Sequence, residues 1–132
     1  MPAFGYLDSS AMAKLVLPEP ESAALWLAVG TLERLVSSRL GAAELRRACA
    51  RTGYREAGKR VDDVLARVLL VDVSAAILET AGRVEPAQLR TLDAIHLATA
   101  LSLGVESVEM ITYDIRLARA ARQHGLKVRS PH

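Results

Sequence analysis

Short apolar runs alternate with stretches of helical periodicity along the chain, and this alternation limits the fold more than any other feature. Runs at residues 3–7, 35–38, 68–73, 108–112 and 126–128 have strand length. Between them, helical spacing is expected from Ser9 through Leu15 and over 21–32, 42–52, 55–66, 74–83 and 115–123, with a further helix opening at Thr91. Pro18-Glu19-Pro20, Gly41, Glu85-Pro86, Gly104 and Gly125 punctuate these stretches, Gly41 as a turn. Strands alternating with helices imply βαβ units, and so a three-layer α/β/α domain with a central, mostly parallel sheet. The 132 residues fit one compact domain, 1–132, and half of them are hydrophobic, enough for a full core.

Sheets of this kind place their sites outside the carboxyl ends of the strands. Asp8 ends the first run. Ser9 or Ser10 can cap the helix that follows, which leaves Asp8 without capping duty. Asp114 follows the fourth run. Glu44 falls in the first turn of the helix after the second run, one step off a stripe of Leu45, Ala48, Cys49 and Thr52. Alone, it is explained by a surface pair with Arg47, worth about 0.3 kcal/mol. Asp93 sits in the first turn of the helix that Thr91 would cap. Leu92, Ile95, Thr99 and Leu103 form the mainly apolar side of that helix. Alone, Asp93 is explained by the helix dipole. Asp72, before Ser74, fits either a turn or a site. Asp62 and Asp63 point about 100° apart on a helix and read as a solvated face.

Clustering these acids has a cost. Two carboxylates about 5 Å apart repel by about 3 kcal/mol at an effective dielectric of about 20. Protons or cations must neutralise such a set. Cys49 is the only cysteine, and His96, His124 and His132 have no ligand spacing. Hard oxygen donors then favour Mg²⁺ or Mn²⁺. Thr112, two residues before Asp114, could hydrogen-bond a ligand carboxylate or simply serve β-structure. The net charge is only +2, but 14 Arg stand against Lys14, Lys59 and Lys127. Arg suits bidentate contact with phosphate, and it also reflects genomic composition. Arg47, Arg51, Arg116 and Arg119 are the candidate phosphate contacts, with solvated helix faces as the other reading. Five scattered aromatics make no base-stacking platform. No leader pattern and no apolar run near the ~18 residues of a membrane span is present, so the expectation is a soluble cytoplasmic protein.

Phe4-Gly5-Tyr6-Leu7-Asp8-Ser9-Ser10, Ala43-Glu44-Leu45, Leu92-Asp93-Ala94-Ile95-His96-Leu97-Ala98 and Ile111-Thr112-Tyr113-Asp114 resemble the successive motifs of PIN domains, most closely those of VapC-type toxins. The resemblance covers nearly the whole chain in the family's order. It implies a Rossmann-like PIN fold and a Mg²⁺- or Mn²⁺-dependent endoribonuclease. It also implies that Asp8, Glu44, Asp93 and Asp114 are the catalytic, metal-binding set, and that metal-activated water leaves 5′-phosphate and 3′-hydroxyl ends. Family members commonly form homodimers and are inhibited by a VapB-type antitoxin that covers the site. His96 falls within the motif but on the core side of its helix, and reads as packing and hydrogen bonding rather than as a general base.

Two other readings compete. A PIN-like module that binds RNA or protein without cutting would share the fold and the Arg surface. A phospho-acceptor receiver domain is also doubly wound and acidic, but the adjacent acidic pair it needs near the first strand end is absent.

Overall fold

The computed structural model describes residues 2–132. The elements run β1 (Phe4–Leu7), α1 (Ser9–Val16), α2 (Ser22–Val29), β2 (Arg34–Ser38), α3 (Arg39–Thr52), α4 (Ala57–Leu65), β3 (Val68–Val71), α5 (Ala75–Arg83), α6 (Thr91–Ser102), β4 (Val108–Ile111), α7 (Ile115–Gln123) and β5 (Lys127–Arg129). All four strand pairings are parallel, in the order β3-β2-β1-β4-β5. The expected α/β architecture is present.

Side-chain alternation along the strands builds two cores. Tyr6, Val36 and Met110 pack with Leu97, Ala100, Leu117 and Ala121 of α6 and α7. Leu7 and Ile111, their neighbours in sequence, pack with Leu15, Leu25, Leu45 and Val61 of α1 to α4. Chain order reverses on either side of β1, so a crevice opens beyond the carboxyl ends of β1 and β4. Asp8 and Asp114 come directly after those two strands.

The α6 helix is buried nearly all round. Ala94 through Ala100 are all inside, while Leu92, expected on the apolar side, is 48% exposed. A helix apolar on every side belongs in a core. Its polar members are satisfied locally: Thr99 Oγ1 donates to the Ile95 carbonyl at 2.6 Å. Arg90, not Thr91, occupies the N-cap position, and no side chain caps this end.

Gly41 does not make a turn. It lies in the first turn of α3, which starts at Arg39 behind an N-cap hydroxyl from Ser38. Glu44 is therefore in the second turn of α3, not the first. The reason for the glycine is close approach. A Cβ there would sit 2.7 Å from Ser37 Oγ and 3.1 Å from both His96 Cε1 and Met12 Cε. Ser37 Oγ is not free to move, because it donates to the Leu7 carbonyl at 2.6 Å. Gly41→Ala gains about 1 kcal/mol of helix propensity and loses about 1–3 kcal/mol to overpacking. The expected outcome is net destabilisation, read as a lower denaturation midpoint. An unchanged or higher midpoint would show that the junction of α3 and α6 is loosely packed.

Candidate active site

Asp8 and Asp114 are held alike. Each is the N-cap of the helix after its strand. Asp8 Oδ1 accepts from Ala11 N at 3.0 Å, and Asp114 Oδ1 accepts from Leu117 N at 3.0 Å. The expectation that Ser9 or Ser10 would cap α1 is corrected: both lie inside the helix, and the carboxylate takes the cap. Ser10 supports it instead, donating from Oγ to Asp8 Oδ1 at 2.7 Å. Thr112, fully buried just past β4, donates from Oγ1 to Asp8 Oδ2 at 2.7 Å and accepts from Asp114 N at 3.0 Å. One hydroxyl thus joins the loops after β1 and β4.

Glu44 arrives on α3 and Asp93 on α6. Glu44 does not pair with Arg47. Its Oε1 accepts from His96 Nε2 at 2.6 Å. Asp93 is partly buried, and its carboxyl is pushed above the usual range, first by burial and then by the charge of Asp114; Asp8 and Glu44 add to the rise and His96 opposes it. The three other acids therefore all act electrostatically on Asp93. Burial also raises Asp8, with Thr112 the strongest opposing influence, followed by Ser10. Among the described residues, none of the four acids is ion-paired to Lys or Arg. Nor does any group of three or more His, Cys, Asp and Glu side chains stand arranged around one point as a metal cage. The donor chemistry, carboxylate oxygens with no Lys or Arg partner, is of the kind that suits a hard divalent cation.

Asp72 lies apart, exposed and paired with Arg39 at 2.6 Å. Arg47 and Arg51 are exposed on α3, and Arg116 and Arg119 on α7. A groove of about 430 Å³ runs beside Asp114, lined by Tyr113, Ile115, Arg119, Arg122 and Ser130. Arg122, at spacing three from Arg119 along the polar side of α7, lines this groove although it is not among the candidate phosphate contacts read from the sequence. A roomier groove of about 620 Å³, lined by Trp26, Arg55, Lys59 and Arg67 among others, includes none of the four acids. No helix of the described chain is long and apolar enough to cross a membrane.

The family model for the PIN domain matches residues 5–123. The chain belongs to the PIN domain family. Within it, the chain is 47% identical over 128 residues to Ribonuclease VapC46 of Mycobacterium tuberculosis, covering 96% of each protein. It is 42% identical over 130 residues to Ribonuclease VapC35 of the same organism, again covering 96% of each. Among solved structures, VapBC2 from Rickettsia felis, bound to a DNA fragment from its promoter, superposes with a TM-score of 0.77 at 16% identity, covering 98% of this chain and 99% of that one.

Proposed function

We propose that this chain is a VapC-type toxin: a cytoplasmic, homodimeric, Mg²⁺- or Mn²⁺-dependent endoribonuclease controlled by a VapB-type antitoxin. The observation that carries the reading is that Asp8 and Asp114 cap the helices after the neighbouring strands β1 and β4 and are joined through the buried Thr112 hydroxyl. Near-full-length identity to proteins named ribonuclease supports RNA as the substrate. A toxin–antitoxin complex from Klebsiella pneumoniae, with a TM-score of 0.74, shares the fold.

In this reading Asp8, Glu44, Asp93 and Asp114 hold the cation. When bound, Mg²⁺ or Mn²⁺ supplies an activated water and charge to stabilise the leaving oxygen. The chain's own part is to fix the ligands and place the RNA. Ser10, Thr112 and the Ala11 amide hold Asp8. The Leu117 amide holds Asp114. Arg119 and Arg122, in the groove beside Asp114, bind the phosphates. The decisive test is cleavage of total RNA with Mn²⁺ and with EDTA, using wild type and Asp8→Asn. Cleavage that needs both Mn²⁺ and Asp8 supports the proposal.

The lack of a closed cage favours a second reading, a PIN-like module that binds RNA or protein without cutting. RNA binding with no cleavage in Mn²⁺ would select it.

Arg119→Ala and Arg122→Ala should each weaken RNA binding severalfold. Each should also reduce the slope of log affinity against log salt by about 0.7. Fluorescence anisotropy on single-stranded RNA at several salt concentrations checks this. An unchanged slope in both variants would move the RNA path to another face.

A further inference from the structure

We propose that His96 is a positioning residue for Glu44, the middle of a buried Tyr6–His96–Glu44 chain that fixes a site carboxylate from inside the core. The proposal rests on the metal-site reading above. His96 is 1% exposed, yet both ring nitrogens are committed: Nδ1 to the Tyr6 hydroxyl and Nε2 to Glu44 Oε1, each at 2.6 Å. A carboxylate only accepts, so Nε2 carries the proton and donates it to Glu44. The Tyr6 hydroxyl, which can donate or accept, holds Nδ1 on the other side. Tyr6 is fully buried on β1, and its ring meets the imidazole edge-on, centroids 5.8 Å apart at 73°. That contact fixes the plane of the imidazole. Gly41 leaves the space in which the imidazole approaches α3.

Core filling explains the burial of His96. It does not explain a chain of bonds that runs from the sheet to a partly exposed acid on another helix. Among the described residues, Glu44 has no other side-chain hydrogen bond. Without His96 its carboxylate has no side-chain partner to hold it in place. With His96 it is presented in one orientation, as ligands oriented by an outer partner are.

The test compares two buried amides. The Gln side chain reaches the place of Nε2 and keeps a donor for Glu44, whereas Asn reaches only the place of Nδ1. Apparent Mn²⁺ affinity is read from the rise in melting temperature across a Mn²⁺ series. Metal-free melts report the fold. His96→Asn is expected to lose about 10–100-fold in affinity while His96→Gln stays within about threefold of wild type. In a Glu44→Gln background the His96→Asn loss should vanish. Wild-type affinity in His96→Asn, or a full loss that persists without Glu44, overturns the proposal. If His96→Asn does not melt cooperatively, Tyr6→Phe replaces it. It removes one hydroxyl and should lose at least about threefold, and unchanged affinity there also overturns the proposal. No Mn²⁺ shift in wild type would overturn the metal-site reading itself, and this proposal with it. That outcome is distinct from a wild type that binds and a His96→Asn that binds equally well.

Discussion

Replacing Asp93 with Asn is expected to abolish RNA cleavage and, in the metal-free protein at neutral pH, to raise the melting temperature. Both effects have one cause. The Asp93 carboxyl is pushed up by burial and then by Asp114, with Asp8 and Glu44 adding. Its folded value lies above its unfolded one. The stability it contributes is therefore full below the unfolded value and is lost as pH rises through the folded value. At pH 7 the wild type holds this charge against its neighbours, and the amide does not. The rise should be small, because Asp93 is only half-buried and solvent screens part of the repulsion. The gain should shrink on acidification, as Asp93 takes up its proton. Saturating Mn²⁺ should reverse the order, stabilising wild type by several degrees and the variant far less. Melting curves at pH 7 and pH 4.5, with and without Mn²⁺, contain the whole test. A metal-free variant that melts below wild type at pH 7 would mean that Asp93 acts mainly at its helix start, and retained cleavage would remove it from the mechanism.

The alternation of short apolar runs with helical stretches was enough to read the sheet, because each strand is a short apolar run local in sequence, even where the edge strands β3 and β5 are partly exposed. The strand ends carrying Asp8 and Asp114 were legible for the same reason. What the sequence concealed depends on contacts between distant residues. A glycine just after a strand reads as a turn, and only the approach of Ser37, Met12 and His96 shows why Gly41 lies within α3. Ser9 and Ser10 are good caps by type, but the strand-to-helix geometry aims the Asp8 carboxylate at the Ala11 amide instead. Burial all round α6 is hidden because Ala, Thr and His fit either a core or a polar side. The partners of His96 lie 52 and 90 residues away, beyond any periodic pattern. The parallel order of the sheet brings Asp8 and Asp114 to neighbouring strand ends. Where Glu44 and Asp93 lie depends on how α3 and α6 pack, which local spacing does not encode.

Thr112→Val should be the most damaging near-isosteric change at the site. Valine keeps the volume and β-branching, so packing is nearly unchanged. The lost hydroxyl donates to the buried Asp8 carboxylate at 2.7 Å and accepts from Asp114 N at 3.0 Å. A hydrogen bond to a buried charge is worth about 1.5–3 kcal/mol, so with Asp8 ionised the melting temperature should fall by about 6–12 °C, at about 4 °C per kcal/mol. Among the groups that oppose the upward shift of Asp8, Thr112 ranks first, and its removal lifts the Asp8 carboxyl further. The folded value already exceeds the unfolded one, so the ionised form is the costly form. The deficit of the variant should therefore be full where Asp8 is ionised and should narrow as pH falls through its raised folded value, where Asp8 is protonated and no longer needs the donor. Cleavage should drop by about 10–100-fold, since Asp8 and Asp114 lose the hydroxyl that joins them. Thr112→Ser keeps the hydroxyl and should recover most of both losses. If Thr112 served only β-structure, valine would be neutral or stabilising at every pH and serine would be the worse substitution. The two roles thus predict opposite orders for the same pair of variants.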